Sequence, residues 1–251
     1  MTHSFGIDFG GSGIKGAPVD LERGDFAADR VRIDTPQPAT PRAVAEVFKE
    51  LIDHYPQQDA DDAVGVTVPG VVRHGVVHSA ANIDKSWIDF DADGLFTEVL
   101  DREVHVVNDA DAAGLAEVRY GAAKGQDGLV IVTTLGTGIG SALVMDGQLV
   151  PNSELGHLDV EGHPDVERWA ASSIRSKEDL SYPDWAERLT VYYRTLEKLF
   201  SPELFVIGGG VSKDGDKFIP LIDVRTPIVA AALRNRAGIV GAALWAEETE
   251  A

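Results

Sequence analysis

The amino-acid sequence predicts an α/β fold built from two related halves. Residues 104–114 change from an alternating β-branched run to an Ala-rich helical pattern, which is typical of a strand end in an open α/β sheet. A strand, a glycine turn and a returning strand also occur twice, at residues 5–19 and 129–145. Two copies of one unit indicate two halves of common design that face each other.

Composition limits the classes of function. The chain has 251 residues, of which 44% are hydrophobic, and a formal net charge of −19. This charge argues against a general binder of nucleic acid or membrane surfaces, because such proteins need a basic face. The absence of cysteine excludes disulfides and thiolate zinc sites. Without a basic leader or a run of about eighteen apolar residues, we expect a cytoplasmic protein that contacts no membrane.

The first hairpin carries a candidate phosphate site. Its strands are predicted at Phe5–Phe9 and Ile14–Val19, joined by Gly10-Gly11-Ser12-Gly13. Glycines permit backbone conformations in which N–H groups converge on an anion. Asp8 and Lys15 flank the turn, so the pattern favours phosphate with magnesium, although most glycine turns are simply tight hairpins.

Further elements follow from local patterns. Thr40-Pro41 predicts a helix start, with Thr as N-cap and an apolar stripe from Val44 to Ile52. The remaining predictions for this half are a strand over 26–33, a strand over 63–68, a hairpin at 71–77 turned by His74-Gly75, a polar loop at 82–87 and a helix over 93–101. The composition of the polar loop, with Trp87, also suits sugar recognition.

Asn108 and Asp109 lie at the predicted strand end that opens onto a helix. A carboxylate beside an amide at this point can hold a substrate hydroxyl and accept its proton. The alternative is that Asp109 only caps the following helix. The sequence of this segment leaves both interpretations open.

The second half repeats the pattern and adds polar residues. Its glycine turn is Gly136-Thr137-Gly138-Ile139-Gly140, and Glu154, His157 and Glu167 follow. These three side chains could bind a metal or the hydroxyls of a polyol. A capping box at Ser181 predicts an amphipathic helix with Trp185, Leu189, Tyr192, Leu196, Leu199 and Phe200 in the core. A strand at 204–207 then ends in a third glycine turn before a helix, and a last helix covers 239–248.

The ordered motifs resemble the ROK family of sugar kinases. They are Gly6 to Gly16, Val107 to Asp111, Leu135 to Gly140, Glu154 to His157 and Ile207 to Ser212, and the match covers essentially the whole chain. Residues 80–87 and 224–227 are most similar to the actinobacterial polyphosphate glucokinases of this family. The resemblance implies an actin/hexokinase-like, ribonuclease H-like fold of two lobes with a cleft between them. The implied lobes are 1–110 with a C-terminal helix at about 238–249, and 111–237.

The resemblance also assigns roles to residues. It implies Asp109 as the general base, and Asp8 as a magnesium contact. The residues implied to hold the sugar are Asn82, Asn108, Asp109, Glu154, His157 and Glu167. The residues implied to bind the phosphoryl donor are Asp8, Gly10, Gly11, Ser12, Gly13, Lys15, Gly136, Thr137, Gly138, Gly140, Gly209 and Gly210. Residues 161–167 lack the cysteines of the zinc motif of many ROK members, so we expect no structural zinc.

The implied activity is transfer of a phosphoryl group to the 6-hydroxyl of glucose, with Mg²⁺, from polyphosphate and from ATP. An alternative is an ATP-dependent kinase for another hexose, such as mannose or an N-acetylhexosamine. A sugar-sensing repressor is disfavoured, because the first strand is expected near Ser4 and the chain is acidic. A polyanionic donor needs a local basic track, for which Lys15, Lys124, Lys213 and Lys217 are candidates. We expect a homodimer, with the helix from Trp185 and the last helix contributing.

Overall fold

A computed structural model describes residues 3–59, 62–80 and 83–250. The strands are β1 His3–Gly10, β2 Gly13–Asp20, β3 Asp25–Phe26, β4 Val31–Ile33, β5 Val64–Val68, β6 Val72–Arg73, β7 Val76–Val77, β8 Phe90–Asp91, β9 Val104–Asn108, β10 Leu129–Leu135, β11 Ile139–Met145, β12 Gln148–Val150, β13 Leu204–Gly208 and β14 Ile228–Ala230. The α-helices are α1 Pro41–Asp53, α2 Ala92–Leu100, α3 Asp109–Tyr120, α4 Glu167–Ala170, α5 Ser172–Lys177, α6 Tyr182–Phe200, α7 Gly215–Phe218 and α8 Ala237–Glu250.

The chain divides into two compact units. The first runs to Ala116 and includes the chain from Arg236 onward, and the second is Glu117–Asn235. None of the helices in the described part of the chain is long and apolar enough to cross a membrane.

The first unit is organised around the sheet β3-β2-β1-β5-β9, in which β4 also pairs with β2. Helices α1 and α2 pack on one face, where Phe48 and Phe96 join the core side chains of β1, β5 and β9. Helix α8 lies on the other face, and its backbone approaches the sheet so closely that only glycine fits. A Cβ on Gly6 would lie 1.9 Å from the Ile239 carbonyl oxygen, and one on Gly65 would lie 1.8 Å from that of Ala242.

The second unit contains the sheet β12-β11-β10-β13-β14. Helix α6 begins as the capping box predicts, since Ser181 Oγ accepts from the Asp184 N–H at 3.2 Å. Trp185, Leu189, Tyr192 and Leu196 are fully buried, as expected, but Leu199 is 58% exposed. The prediction for Leu199 was wrong because this side chain lies on the exposed side of the last turn of α6, whereas that of Phe200 beside it packs against the core.

Three further expectations need correction. The single strand predicted over 26–33 is divided into β3 and β4, because four residues lie between Phe26 and Val31 but only two lie between their partners Val19 and Gly16 on β2, and the excess loops out. Trp87 does not present its ring for a sugar, since it is fully buried and donates to the Ala39 carbonyl oxygen at 2.7 Å. The third glycine turn leads into a 3-10 helix, Gly210–Asp214, and the four-residue α7, so it offers no long helix dipole.

Candidate active site

The end of β9 holds Asn108 and Asp109 in different roles. The buried Asn108 side chain accepts from the N–H groups of Ala110 at 2.9 Å and Asp111 at 3.1 Å, and it donates to the Gly70 carbonyl oxygen at 3.0 Å. Asn108 is therefore the residue that caps α3. Asp109 is exposed on the first turn of α3, and its Oδ1 accepts from the Ala110 N–H at 2.9 Å. The interpretation of Asp109 as only the cap was wrong.

The first glycine turn joins β1 and β2, with Gly10 paired to Gly13. Neither of these two glycines has a positive φ, so they are needed for space rather than for an unusual backbone. A Cβ on Gly13 would lie 2.6 Å from Nε of Arg32, whose Nη2 donates to the Ser12 carbonyl oxygen at 2.8 Å. The turn is thus covered on one side by a guanidinium group.

Asp8 and Lys15 are directly opposite each other on β1 and β2 and form an ion pair of 2.9 Å. Thr67 Oγ1, on the neighbouring β5, lies 3.4 Å from Asp8 Oδ1 and accepts from the Phe9 N–H. Gly238, at the start of α8, leaves room for this carboxylate, because a Cβ there would lie 3.1 Å from Asp8 Oδ1. A carboxylate and an ammonium group therefore lie beside the N-terminus of a long helix.

The second glycine turn is bonded to a carboxylate. Oε2 of Glu167 accepts from the Ile139 N–H at 3.0 Å, and a Cβ on Gly138 would lie 2.2 Å from that oxygen. A Cβ on Gly136 would have no neighbouring atom within 4 Å. The Gly136 N–H donates to the Gly138 carbonyl oxygen at 3.0 Å. Gly138 thus gives Glu167 access to the turn, whereas Gly136 leaves room for a ligand.

Glu154 directly precedes a short 3-10 helix of the same unit, Leu155–His157, whose last residue is His157. Nε2 of His157 lies 3.7 Å from Glu154 Oε2, and its Nδ1 lies 3.3 Å from Asp165 Oδ1. Burial raises the pKa of Glu154, His157 opposes this shift, and the charge of Glu167 adds to it. Glu154 and Glu167 are linked through Ile139, because a Cβ on Gly156 would lie 2.2 Å from the Ile139 carbonyl oxygen and the Ile139 N–H donates to Glu167.

The third glycine turn lies against the second. Gly209 has a φ of +83°, and a Cβ on it would be 2.4 Å from the Leu135 carbonyl oxygen at the end of β10. Helix α5 adds support, because Ser173 Oγ donates to the Thr137 carbonyl oxygen at 2.7 Å. Two glycine turns and the carboxylates at 154 and 167 therefore belong to one part of the second unit.

Comparisons with known proteins identify the family of this chain. The model of the ROK family matches residues 4–169. The chain belongs to the ROK family. It is 53% identical to the polyphosphate glucokinase of Mycobacterium tuberculosis strain CDC 1551, over 97% of this chain and 91% of that protein.

Solved structures confirm the ROK fold. The inorganic polyphosphate/ATP-glucomannokinase from Arthrobacter sp. strain KM superposes with a TM-score of 0.93 at 52% identity, covering 99% of this chain and 100% of that one. A ROK family glucokinase from Streptomyces griseus, with glucose and AMPPNP, gives 0.83 at 24% identity, covering 98% and 99% of the two chains, and supports the fold alone. The predicted actin/hexokinase-like α/β fold is confirmed.

The remaining predicted residues of this ROK protein have varied surroundings. Asn82 lies outside the described residues. Gly140 pairs with Thr134 inside β11, and Gly210 is exposed after the third turn. Of the lysines proposed for a basic track, Lys217 is paired with Asp214 at 2.7 Å, while Lys124 and Lys213 are exposed. Each of these binding roles stays a prediction.

Sequence reasoning missed three side chains that this ROK structure places at the candidate site: Arg32 at the first turn, Ser173 at the second and Asp165 beside His157. None belongs to a recognisable motif. Arg32 could have been found only from the pairing of β4 with β2, which places Arg32 opposite Lys15. Local sequence does not determine which residues of two strands pair when a loop separates the strands.

Proposed function

We propose that this chain is a glucokinase that transfers a phosphoryl group to the 6-hydroxyl of glucose, from polyphosphate and from ATP. The observation that carries this proposal is 53% identity over 97% of the chain to a named polyphosphate glucokinase. The match to the polyphosphate/ATP-glucomannokinase supports both donors. Its name also favours mannose as a second acceptor.

In the proposed reaction Asp109 is the general base. The 6-oxygen attacks the terminal phosphorus of the donor, the bond to the bridging oxygen breaks, and the shortened polyphosphate or ADP leaves. The hydroxyl proton passes to the Asp109 carboxylate. Support comes from the exposure of this carboxylate and from the cap at Asn108, which fixes the backbone of the helix start. The proposal also keeps Asn108 as a sugar contact, through the amide N–H that does not bond to Gly70.

Glu154, His157 and Glu167 are proposed to hold the sugar hydroxyls. Carboxylates and an imidazole accept and donate hydrogen bonds in the pattern that a polyol requires. The described residues contain no group of three or more His, Asp or Glu side chains arranged for a metal ion. Glucose carries no charge, so local hydrogen bonds rather than the protein's net charge would govern its binding.

Donor phosphates are proposed to bind at the glycine turns, with Mg²⁺ at Asp8. The residues fit this ion, because Mg²⁺ typically takes one or two carboxylates and completes its shell with water and substrate phosphates. Asp8 supplies one hard oxygen ligand, and Lys15 lies 2.9 Å from it to bind phosphate. When bound, the ion would neutralise charge that develops on the donor.

We also propose that the protein forms a homodimer. The apolar stripe of α6 cannot supply the interface, since Trp185, Leu189 and Tyr192 pack in the core of their own unit. Exposed apolar side chains such as Leu199 and Leu221 are left for that role.

The deciding experiment titrates ATP and long-chain polyphosphate separately at saturating glucose and magnesium, in wild type and Asp109→Asn. We expect turnover with both donors in wild type, and a kcat for the variant lower by about 10²–10⁴-fold with both, since a positioned base contributes that much. Asp91→Asn is the matched control, because Asp91 is another exposed aspartate at a helix start. Absence of polyphosphate turnover in wild type would contradict the donor, and an Asp109→Asn variant within about threefold of wild type would contradict the base.

A further inference from the structure

A row of charged side chains crosses the sheet of the first unit next to the glycine turn. Asp8 on β1 is directly opposite Lys15 on β2, and Lys15 is directly opposite Arg32 on β4. Directly opposite residues of antiparallel strands point to the same face. Because adjacent strands lie about 4.8 Å apart, the row extends about 10 Å from the centre of the sheet to its edge.

The Arg32 guanidinium is held in place by the turn. Nη2 donates to the Ser12 carbonyl oxygen at 2.8 Å, and the side chain passes over Gly13, where any Cβ would displace it. Nη1 donates to Asp34 at 2.6 Å. A guanidinium carries five N–H donors, so this geometry leaves donors for a further acceptor.

Charge balance along the row distinguishes the two cations. Lys15 is compensated by Asp8 within the sheet, with side chains only 29% and 23% exposed. Within the described part of the chain, the carboxylate that compensates Arg32 is that of Asp34, whose side chain is 82% exposed and lies at the surface. An exposed ion pair contributes little and exchanges readily, whereas an Arg–phosphate pair is bidentate and charge-assisted.

We propose that Arg32 is a specificity-determining residue for the phosphoryl donor, binding phosphates of a polyphosphate chain beyond those that ATP also possesses. This inference rests on the proposed function. The terminal phosphates lie near Asp8 and Lys15, and the anionic chain continues along the row to Arg32 at the sheet edge. There a phosphate group takes the place of the Asp34 carboxylate as the ion-pair partner of Arg32. ATP has a neutral nucleoside after its third phosphate, so it gains nothing from a cation at that distance.

The test compares Arg32→Ala and Arg32→Lys, with Arg42→Ala as the matched control. Arg42 is an arginine of the same unit whose side chain is 63% exposed and whose ion pairs, with Glu46 and Glu98, lie on helices. We expect Arg32→Ala to raise the KM for long-chain polyphosphate about tenfold, with kcat and the KM values for ATP and glucose within about twofold of wild type. In Arg32→Ala, the slope of log KM for polyphosphate against log salt concentration should be smaller by about one unit, because one phosphate contact is lost.

Asp34→Asn provides a second variant on an exposed side chain that the fold does not need. At low salt, Asp34→Asn should lower the KM for polyphosphate, because the carboxylate that competes for Arg32 is gone. The KM for ATP should stay unchanged. Arg32→Lys should bind polyphosphate better than Arg32→Ala but less well than wild type, since lysine keeps the positive charge but cannot form the bidentate hydrogen bonds of a guanidinium group.

The outcomes separate this inference from the function on which it rests. Wild type without polyphosphate activity contradicts the proposed function itself. Wild type that uses polyphosphate, with Arg32→Ala and Asp34→Asn unchanged, overturns only the role of Arg32. An equal rise of KM for ATP and polyphosphate in Arg32→Ala also overturns it, because Arg32 would then bind phosphates common to both donors.

Discussion

The β1–β2 and β10–β11 hairpins have the same topology but opposite chemistry at their turns. In each, the two strands are antiparallel, and the first strand also pairs in parallel with the next long strand, β5 or β13. The first turn is bounded by the cations Lys15 and Arg32. The second turn donates the Ile139 N–H to the carboxylate of Glu167.

Lys15 belongs to the first hairpin itself, but the other part of the difference arises outside the repeated unit. Arg32 comes from β4 and Glu167 from α4, and each reaches its turn because a glycine, Gly13 or Gly138, leaves the necessary space. The hairpin therefore supplies a backbone frame, and neighbouring elements decide which ligand the frame suits. The cationic side chains at the first turn suit phosphate, while the carboxylate side chains beside the second turn suit sugar hydroxyls, next to the glycines that are proposed to bind the donor.

Neutralising one charge at each turn tests the contrast most strongly. Lys15→Met should raise the KM for ATP and for polyphosphate by about 10–100-fold, because a hydrogen bond to a charged group contributes roughly that much. Glu167→Gln should raise the KM for glucose by a similar factor and leave the donor values nearly unchanged. Steady-state kinetics with each substrate varied in turn measure both. If both variants raise the same KM, Lys15 and Glu167 do not bind different substrates.

Two glycines of the second turn give a finer test. Gly138→Ala should displace the Glu167 side chain. The KM for glucose should then rise several-fold, which corresponds to a loss of about 1 kcal/mol of binding free energy. The free energy of unfolding should also fall. Gly136→Ala is its matched control, because a Cβ there has nothing within 4 Å. This variant should keep its stability and its KM for glucose, with any change confined to the donor. Equal effects of the two substitutions on glucose would contradict the role of Glu167 at this turn.

The smallest expected effect is a shift in pH dependence. Burial raises the pKa of Glu154 above its ordinary value of 4.5, opposed by His157 and reinforced by Glu167. If the ionised form accepts from sugar hydroxyls, glucose affinity is present above this raised pKa and falls as the pH is lowered through it. The KM for glucose should therefore begin to rise at a higher pH than an ordinary glutamate would give. Glu154→Gln should remove this step, and a profile identical to wild type would contradict it.

Local sequence determined much of this fold. Thr40 accepts from the Ala43 N–H and Pro41 opens α1, as the pattern predicts, and the strand predicted over 63–68 is observed as β5. Asp8 and Lys15 could be paired from sequence because a short hairpin fixes its own register. Trp87 shows the limit of such reasoning, since composition alone cannot distinguish a buried aromatic residue in a loop from a binding one.

For the candidate site, the sequence by itself pointed to the glycine turns, to the strand end at Asp109 and to the set Glu154, His157 and Glu167, whose roles stay predictions. Only the tertiary structure decided that Asn108 caps α3 rather than Asp109, that Glu167 bonds to the second turn and that Arg32 covers the first. These contacts join residues from different elements, or depend on side-chain orientation at a helix start. Backbone periodicity fixes which face a residue occupies, but the packing of neighbouring elements fixes what it meets there.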